Sequence, residues 1–167
     1  MISEQMHEAL SEQLNREFGS AYLYLSMSAY CSHSDFNGAA SWFKHQHEEE
    51  QLHAAKVYDY LIGQGVQVVL ADIGEPASGF GSLLGVFEAA LEHEHEQTAR
   101  LNDLSDHALR EKDHATYNLL QWFVNEQVEE EGNLGGIIAK LRMVADDGYG
   151  LLMIDNELGQ RSAAVAG

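Results

Sequence analysis

The sequence predicts an all-α protein: a four-helix bundle with one long crossover and a short fifth C-terminal helix. Three observations carry this. Apolar residues recur at three- and four-residue intervals through four long segments. The one proline, Pro76, stands mid-chain among five of the fifteen glycines, Gly63, Gly65, Gly74, Gly79 and Gly81. Links within each half are short, which makes antiparallel hairpins, and the long link between halves returns the third helix to the end where the first began.

Each element has its own signals. Ser3 is placed to N-cap a first helix to about His33, with Leu10, Leu14, Phe18, Ala21 and Leu25 on one stripe. Asn37-Gly38 opens a second, carrying Ala39, Phe43, Val57 and Leu61. Val66, Val68 and Val69 then suit an extended crossover. Ser82 caps a third helix, with Phe87, Leu91, Leu101 and Ala108 inward. Asp113 caps a fourth, whose stripe is Leu120, Phe123, Leu134, Ile137 and Leu141. The run Asp146-Asp147-Gly148-Tyr149-Gly150 breaks the chain before a short apolar helix from Leu151 to Leu158. Gly132, Gly135 and Gly136 lie inside the fourth helix, each costing about 1 kcal/mol against alanine. A bend or a close neighbouring backbone would account for them.

Length and composition narrow the function. The 167 residues, 45% of them hydrophobic, read as a single domain over 1–167 with an ample core. No apolar run approaches a membrane span, and the opening Met1-Ile2-Ser3-Glu4-Gln5 is unlike a signal peptide. One cysteine, Cys31, forms no intrachain disulfide, so a cytoplasmic location is expected. A net charge of −18 repels phosphate backbones and anionic membranes and attracts cations. Neither nucleic acid nor a membrane is expected as a partner.

Acids interrupt the apolar stripes. Glu17 lies three residues after Leu14 and four before Ala21, so it points inward with them. Glu50 is seven from both Phe43 and Val57, and His53 is four before Val57. Glu94 is three after Leu91, and Gln127 and Glu130 keep the rhythm between Phe123 and Leu134. Buried carboxylates cost several kcal/mol each unless paired. Four helices sharing this fault, with no Lys or Arg at the same inner positions, point to a common cation. Residues at i and i+3 lie about 4.5 Å apart in rise, so Glu50 and His53 can hold one ion together. A mixed carboxylate and imidazole shell suits iron. The di-iron pattern of helix bundles is one Glu from each of two helices and a Glu-x-x-His from each of the other two, which the first three helices here fit. Of the run Glu92-His93-Glu94-His95-Glu96, most reads as a solvated face, as do His45 and His47. Trp42, Trp122 and Phe123 read as core, and Cys31 as a small buried residue. Tyr24, seven after Glu17, is either core packing or a hydroxyl beside the site.

From Leu14-Asn15-Arg16-Glu17 to the closing helix the chain resembles the bacterial non-haem ferritins, a ferritin-like di-iron family. The specific pieces are Glu49-Glu50-Gln51-Leu52-His53, Glu94, and the run from Gln121 to Glu131. The resemblance implies that Glu17, Glu50 and His53 bind a first iron, with Glu50 bridging to a second held by Glu94 and Glu130. It implies Gln127 beside this pair, a third iron at Glu49, Glu126, Glu129 and Glu130, and Tyr24 near the centre as an electron donor. It also implies a homo-oligomeric cage of twenty-four subunits that oxidises Fe(II) with O2 or H2O2 and stores Fe(III) mineral. Bacterioferritins are similar but place a haem-binding Met after the bridging Glu, where this chain has Gln51, and a His where it has Glu130. Haem is not expected. The glycines after Glu131 depart from the family's fourth helix. A solvated acidic face is the other reading of the third-site acids. For the whole chain the alternatives are a rubrerythrin-like di-iron peroxidase and a plain structural bundle.

Overall fold

The computed structural model describes residues 2–161. The ends of the expected 1–167 domain, Met1 and residues 162–167, lie outside the described residues. Five helices follow in order: α1 Glu4–His33, α2 Asn37–Gly63, α3 Leu83–Glu111, α4 His114–Val144 and α5 Gly148–Leu158. The expected caps are in place. Ser3 accepts from Met6 N, Ser82 from Gly85 N and Asp113 from Thr116 N, each satisfying an amide that the first turn leaves unpaired. Two tight turns close the hairpins α1–α2 and α3–α4, and α1 meets α3 over a shorter stretch.

The crossover, residues 64–82, has no regular secondary structure. Burial alternates along it, Val66 and Val68 inward and Gln67 and Val69 outward, as in an extended segment. Side chains of α1 pin it: His7 to Gln67 O at 2.9 Å, Asn15 Oδ1 accepting from Ala71 N at 2.9 Å, and Ser26 donating to Ala77 O at 2.6 Å.

The opening of α2 has a cap from a distant part of the chain. Phe36 offers no side-chain cap, and Asp155 of α5 accepts instead from Gly38 N at 3.1 Å and Ala39 N at 2.8 Å. The helices touch so closely there that a Cβ on Gly38 would lie 1.7 Å from Asp155 O. Ile154 and Leu158 bury on the same side, whereas Leu152 and Met153 face outward.

Two sequence expectations are corrected. Leu25 is 40% exposed; the buried stripe of α1 passes instead through Tyr24, Met27 and Cys31. An ideal 3.6-residue period would place Leu25 within about 20° of Leu14. The buried positions Met6, Leu10, Gln13, Glu17, Ser20, Tyr24, Met27 and Cys31 instead step by four and three, a 3.5-residue repeat that drifts round the helix and leaves Leu25 outside. Around Gly132, Gly135 and Gly136, α4 runs as one continuous helix, and among the described residues nothing beyond the helix's own neighbouring backbone stands within 4 Å of where their Cβ atoms would be. No close backbone among the described residues accounts for them.

The apolar core is divided. One cluster, including Met27, Trp42, Phe43, Phe87 and Leu134, fills the end nearest α5. The other, including Leu10, Leu14, Val57, Leu101 and Phe123, fills the opposite end. Between them lies a layer of buried polar side chains.

Candidate metal centre

That layer is built by all four long helices at mid-height. Glu17, Glu50, His53, Glu94, Gln127 and Glu130 are all buried, none more than 6% exposed. Ligand atoms of Glu17, Glu50 and His53 all lie within 4.8 Å of one another. His53 Nδ1 stands 3.6 Å from Glu50 Oε1 and 4.0 Å from Glu17 Oε2. Its ring is wedged edge-on between Trp122 and Phe123, at 5.4 and 5.7 Å between centroids. Across the bundle, Gln127 donates to Glu94 Oε2 at 2.9 Å, and the Tyr24 hydroxyl donates to Glu94 Oε1.

The electrostatics describe a site short of positive charge. Burial, then the charge of Glu50, pushes the Glu17 carboxyl well above the usual range. Burial and Glu94 do the same to Glu50. Glu130 is raised to about 7 by burial, then by Glu94 and Glu49. The Tyr24 phenol is pushed up by burial and by Glu94, so it keeps its proton and donates. A divalent cation among these groups would replace the protons and remove the repulsion, which is the condition for a carboxylate-rich metal site.

The third-site acids are only partly gathered. Glu49 adjoins Glu50 and adds its charge to Glu130, but its carboxylate is paired with Arg161 Nη2 at 2.7 Å. Glu126 is half-buried and Glu129 exposed. Among the described residues, neither forms a hydrogen bond or ion pair with the other acids.

A family profile described as "Ferritin-like domain" matches residues 7–144. The chain belongs to the ferritin family. This ferritin is 38% identical over 162 residues to a bacterial non-heme ferritin of Staphylococcus saprophyticus, covering 97% of both chains. It is 40% identical to a probable bacterial non-heme ferritin-like protein of Haemophilus influenzae, over 97% of this chain and 98% of that one. Among solved structures, the open pore ferritin of the hyperthermophilic archaeon Archaeoglobus fulgidus superposes with a TM-score of 0.96 at 45% identity, covering 97% of this chain and all of that one. The ferritin-like bundle and the iron-storage family expected from the sequence are thereby established, and the buried Glu-Glu-His group is a candidate metal site within it.

Sequence reasoning missed four residues around this ferritin's acid layer. Gln13 and Gln46, both fully buried, stand between an inward acid and an arginine. Gln13 donates to Glu17 Oε1 at 2.7 Å and accepts from Arg100 Nε at 3.1 Å. Gln46 donates to Glu130 Oε2 at 2.7 Å and accepts from Arg161. The inner helix positions do lack basic residues, but two arginines polarise the layer at one remove. A signal existed: each glutamine is four residues before an inward glutamate, on the same helix face. His93 is also corrected. It is half-buried, 2.8 Å from Ser20 Oγ and edge-on to Tyr24, and burial lowers its pKa.

Proposed function

We propose that this chain is an iron-storage ferritin subunit that oxidises Fe(II) at the mid-bundle acid layer and stores Fe(III) as mineral inside a twenty-four-subunit cage. The observation that supports it most is the convergence of Glu17, Glu50, His53, Glu94 and Glu130 from four helices into one buried layer. In this reading Glu17, Glu50 and His53 hold a first ferrous ion. Glu50 reaches across to a second, held by Glu94 and Glu130, with Gln127 orienting Glu94. A third iron lies at Glu49, Glu126 and Glu129 with Glu130.

The chemistry follows from the ligands. Hard oxygen donors in an anionic, poorly solvated layer favour Fe(III) over Fe(II), which eases electron loss. Two adjacent ferrous ions each give one electron to O2, which leaves at the level of hydrogen peroxide. H2O2 itself can take the same two electrons and yield water. Tyr24, protonated on Glu94, fixes that carboxylate and is a candidate electron donor. Ferric product then hydrolyses and moves to the cavity. No haem enters this scheme. The relatives named above support a homo-oligomeric cage, and a single buried cysteine suits a cytoplasmic protein. Among the described residues no helix is long and apolar enough to cross a membrane.

The test is aerobic Fe(II) addition to the metal-free protein, followed by absorbance of ferric product and by sizing. Glu50→Ala and His53→Ala should slow the initial oxidation at least about tenfold, the loss of about 1.4 kcal/mol in barrier lowering. Rapid oxidation preserved in both variants would sink the site assignment. A native protein that sizes as a monomer or dimer at every salt concentration would sink the cage.

A further inference from the structure

Arg161 is a cation already seated on one of the acids assigned to the third iron. It lies just beyond α5, and its guanidinium makes three contacts. Nη2 pairs with Glu49 Oε2 at 2.7 Å, Nη1 donates to Gln46 Oε1, and the group lies over the Trp42 ring, 4.8 Å from its centroid. Gln46 passes its other amide end to Glu130 at 2.7 Å. One guanidinium is therefore linked to two carboxylates of the third position, directly to Glu49 and through an amide to Glu130. An iron ion on the Glu49 carboxylate draws on the same negative charge and repels the guanidinium held at Oε2, so the two cations compete for that acid.

The displaced group has somewhere to go. A groove of about 520 Å³ opens between α4 and the end of α5, and Arg161, Trp42, Gly132 and Gly136 line it. The missing side chains of those glycines keep its α4 wall open. Their presence in a long helix, otherwise a cost, has a use here.

We propose that Arg161 sets the affinity of the third iron position by occupying Glu49 until iron displaces it into the groove beside Gly132 and Gly136. This inference rests on the third-iron reading given above. A tethered competing cation keeps the position weak, so iron leaves it as readily as it enters. That suits a transfer point between the dinuclear centre and the cavity better than a storage point.

The test is a titration of the metal-free cage with Fe(II) under anaerobic conditions, followed by calorimetry and fluorescence and repeated with redox-inert Zn(II). Wild type, Arg161→Gln and Arg161→Lys are compared, each also carrying Trp122→Phe so that Trp42 is the sole tryptophan. In Arg161→Gln the third equivalent should bind roughly five- to tenfold more tightly, the worth of one partly buried ion pair as competitor, with the first two unchanged. Arg161→Lys keeps the charge but not the fork that spans Gln46 and Glu49, and should fall between. Trp42 emission should shift with the third equivalent in the protein with Arg161 and stay constant in Arg161→Gln. Equal third-site affinity in both, or a silent Trp42 when Arg161 is present, overturns the arginine's role and leaves the third site standing. A third equivalent missing from every variant overturns both.

Discussion

Replacing Glu130 by glutamine keeps an acceptor for Gln46 and removes a charge from the buried layer. In the metal-free protein burial, then Glu94 and Glu49, holds the Glu130 carboxyl at about 7 against an ordinary 4.5. The folded state therefore retains a proton that the unfolded chain has released. Its stability is full below pH 4.5, falls as pH rises, and is lowest above about pH 7. At about 1.4 kcal/mol for each pH unit, the loss is roughly 3 kcal/mol. Glu130 is only 6% exposed, so solvent screening takes little from this figure. Glutamine has no such proton to lose. Metal-free Glu130→Gln should match wild type near pH 4.5 and exceed it by roughly 3 kcal/mol at pH 8, some 5 to 10 °C in melting temperature for a chain of this size. Calorimetric melting in the presence of a chelator reads the gap, and added Zn(II) should reverse the ranking, because wild type then gains a ligand. A gap of the same size at every pH, or a less stable variant at pH 8 without metal, would refute the reasoning.

Other consequences can be measured on the same protein. Asp155→Ala strips two buried amides at the start of α2 of their acceptor and should cost roughly 1–3 kcal/mol in urea melts; an unchanged midpoint would show that water replaces the cap. Gly38→Ala forces a methyl group against Asp155 O and should cost roughly 3 kcal/mol by lifting α5; wild-type stability would contradict the packing seen there. Gly136→Ala meets only open space and should stabilise α4 by about 1 kcal/mol, so a lower melting temperature would show that another subunit fills the gap. Burial pushes the Cys31 thiol up to about 12, so it should resist an aromatic disulfide reagent at pH 8 until the protein unfolds. Prompt labelling of the native protein would contradict that burial.

Much of the bundle was legible because its signals are local. Ser3, Ser82 and Asp113 cap where their hydroxyls and carboxylate predict, since a cap involves only the next three residues. The inward phase of Glu17, Glu50, His53, Glu94 and Glu130 follows from helix geometry alone, and all five are buried. That these side chains also ligate iron is a matter for metal titration. What escaped depended on tertiary proximity. Nothing near Asn37 announces that Asp155, more than a hundred residues later, caps it. Arg161 lies outside every apolar stripe, so periodicity gave it no inward face, yet the turn after α5 carries it to Gln46 and Glu49. Leu25 shows the opposite error. An apolar residue near a stripe is not on it, and the real stripe ran through Tyr24, whose hydroxyl made it look ambiguous.

The division of the core bears on how the molecule breathes. Each hairpin is continuous, whereas the buried apolar side chains form two clusters, one towards each end, and among the described residues no Cα of α2 lies within 8 Å of a Cα of α4. At the waist the halves meet through buried polar groups, Tyr24 donating to Glu94 and Gln46 to Glu130, among acids that repel one another once they ionise. Local opening should start there, so in the metal-free protein the amides around Glu50 and Glu94 should exchange with deuterated water sooner than those around Leu10 or Phe87. An ion bound by acids of both hairpins, as proposed above, would turn that weakest section into a fastener, and exchange at the waist would then gauge how much metal the protein holds.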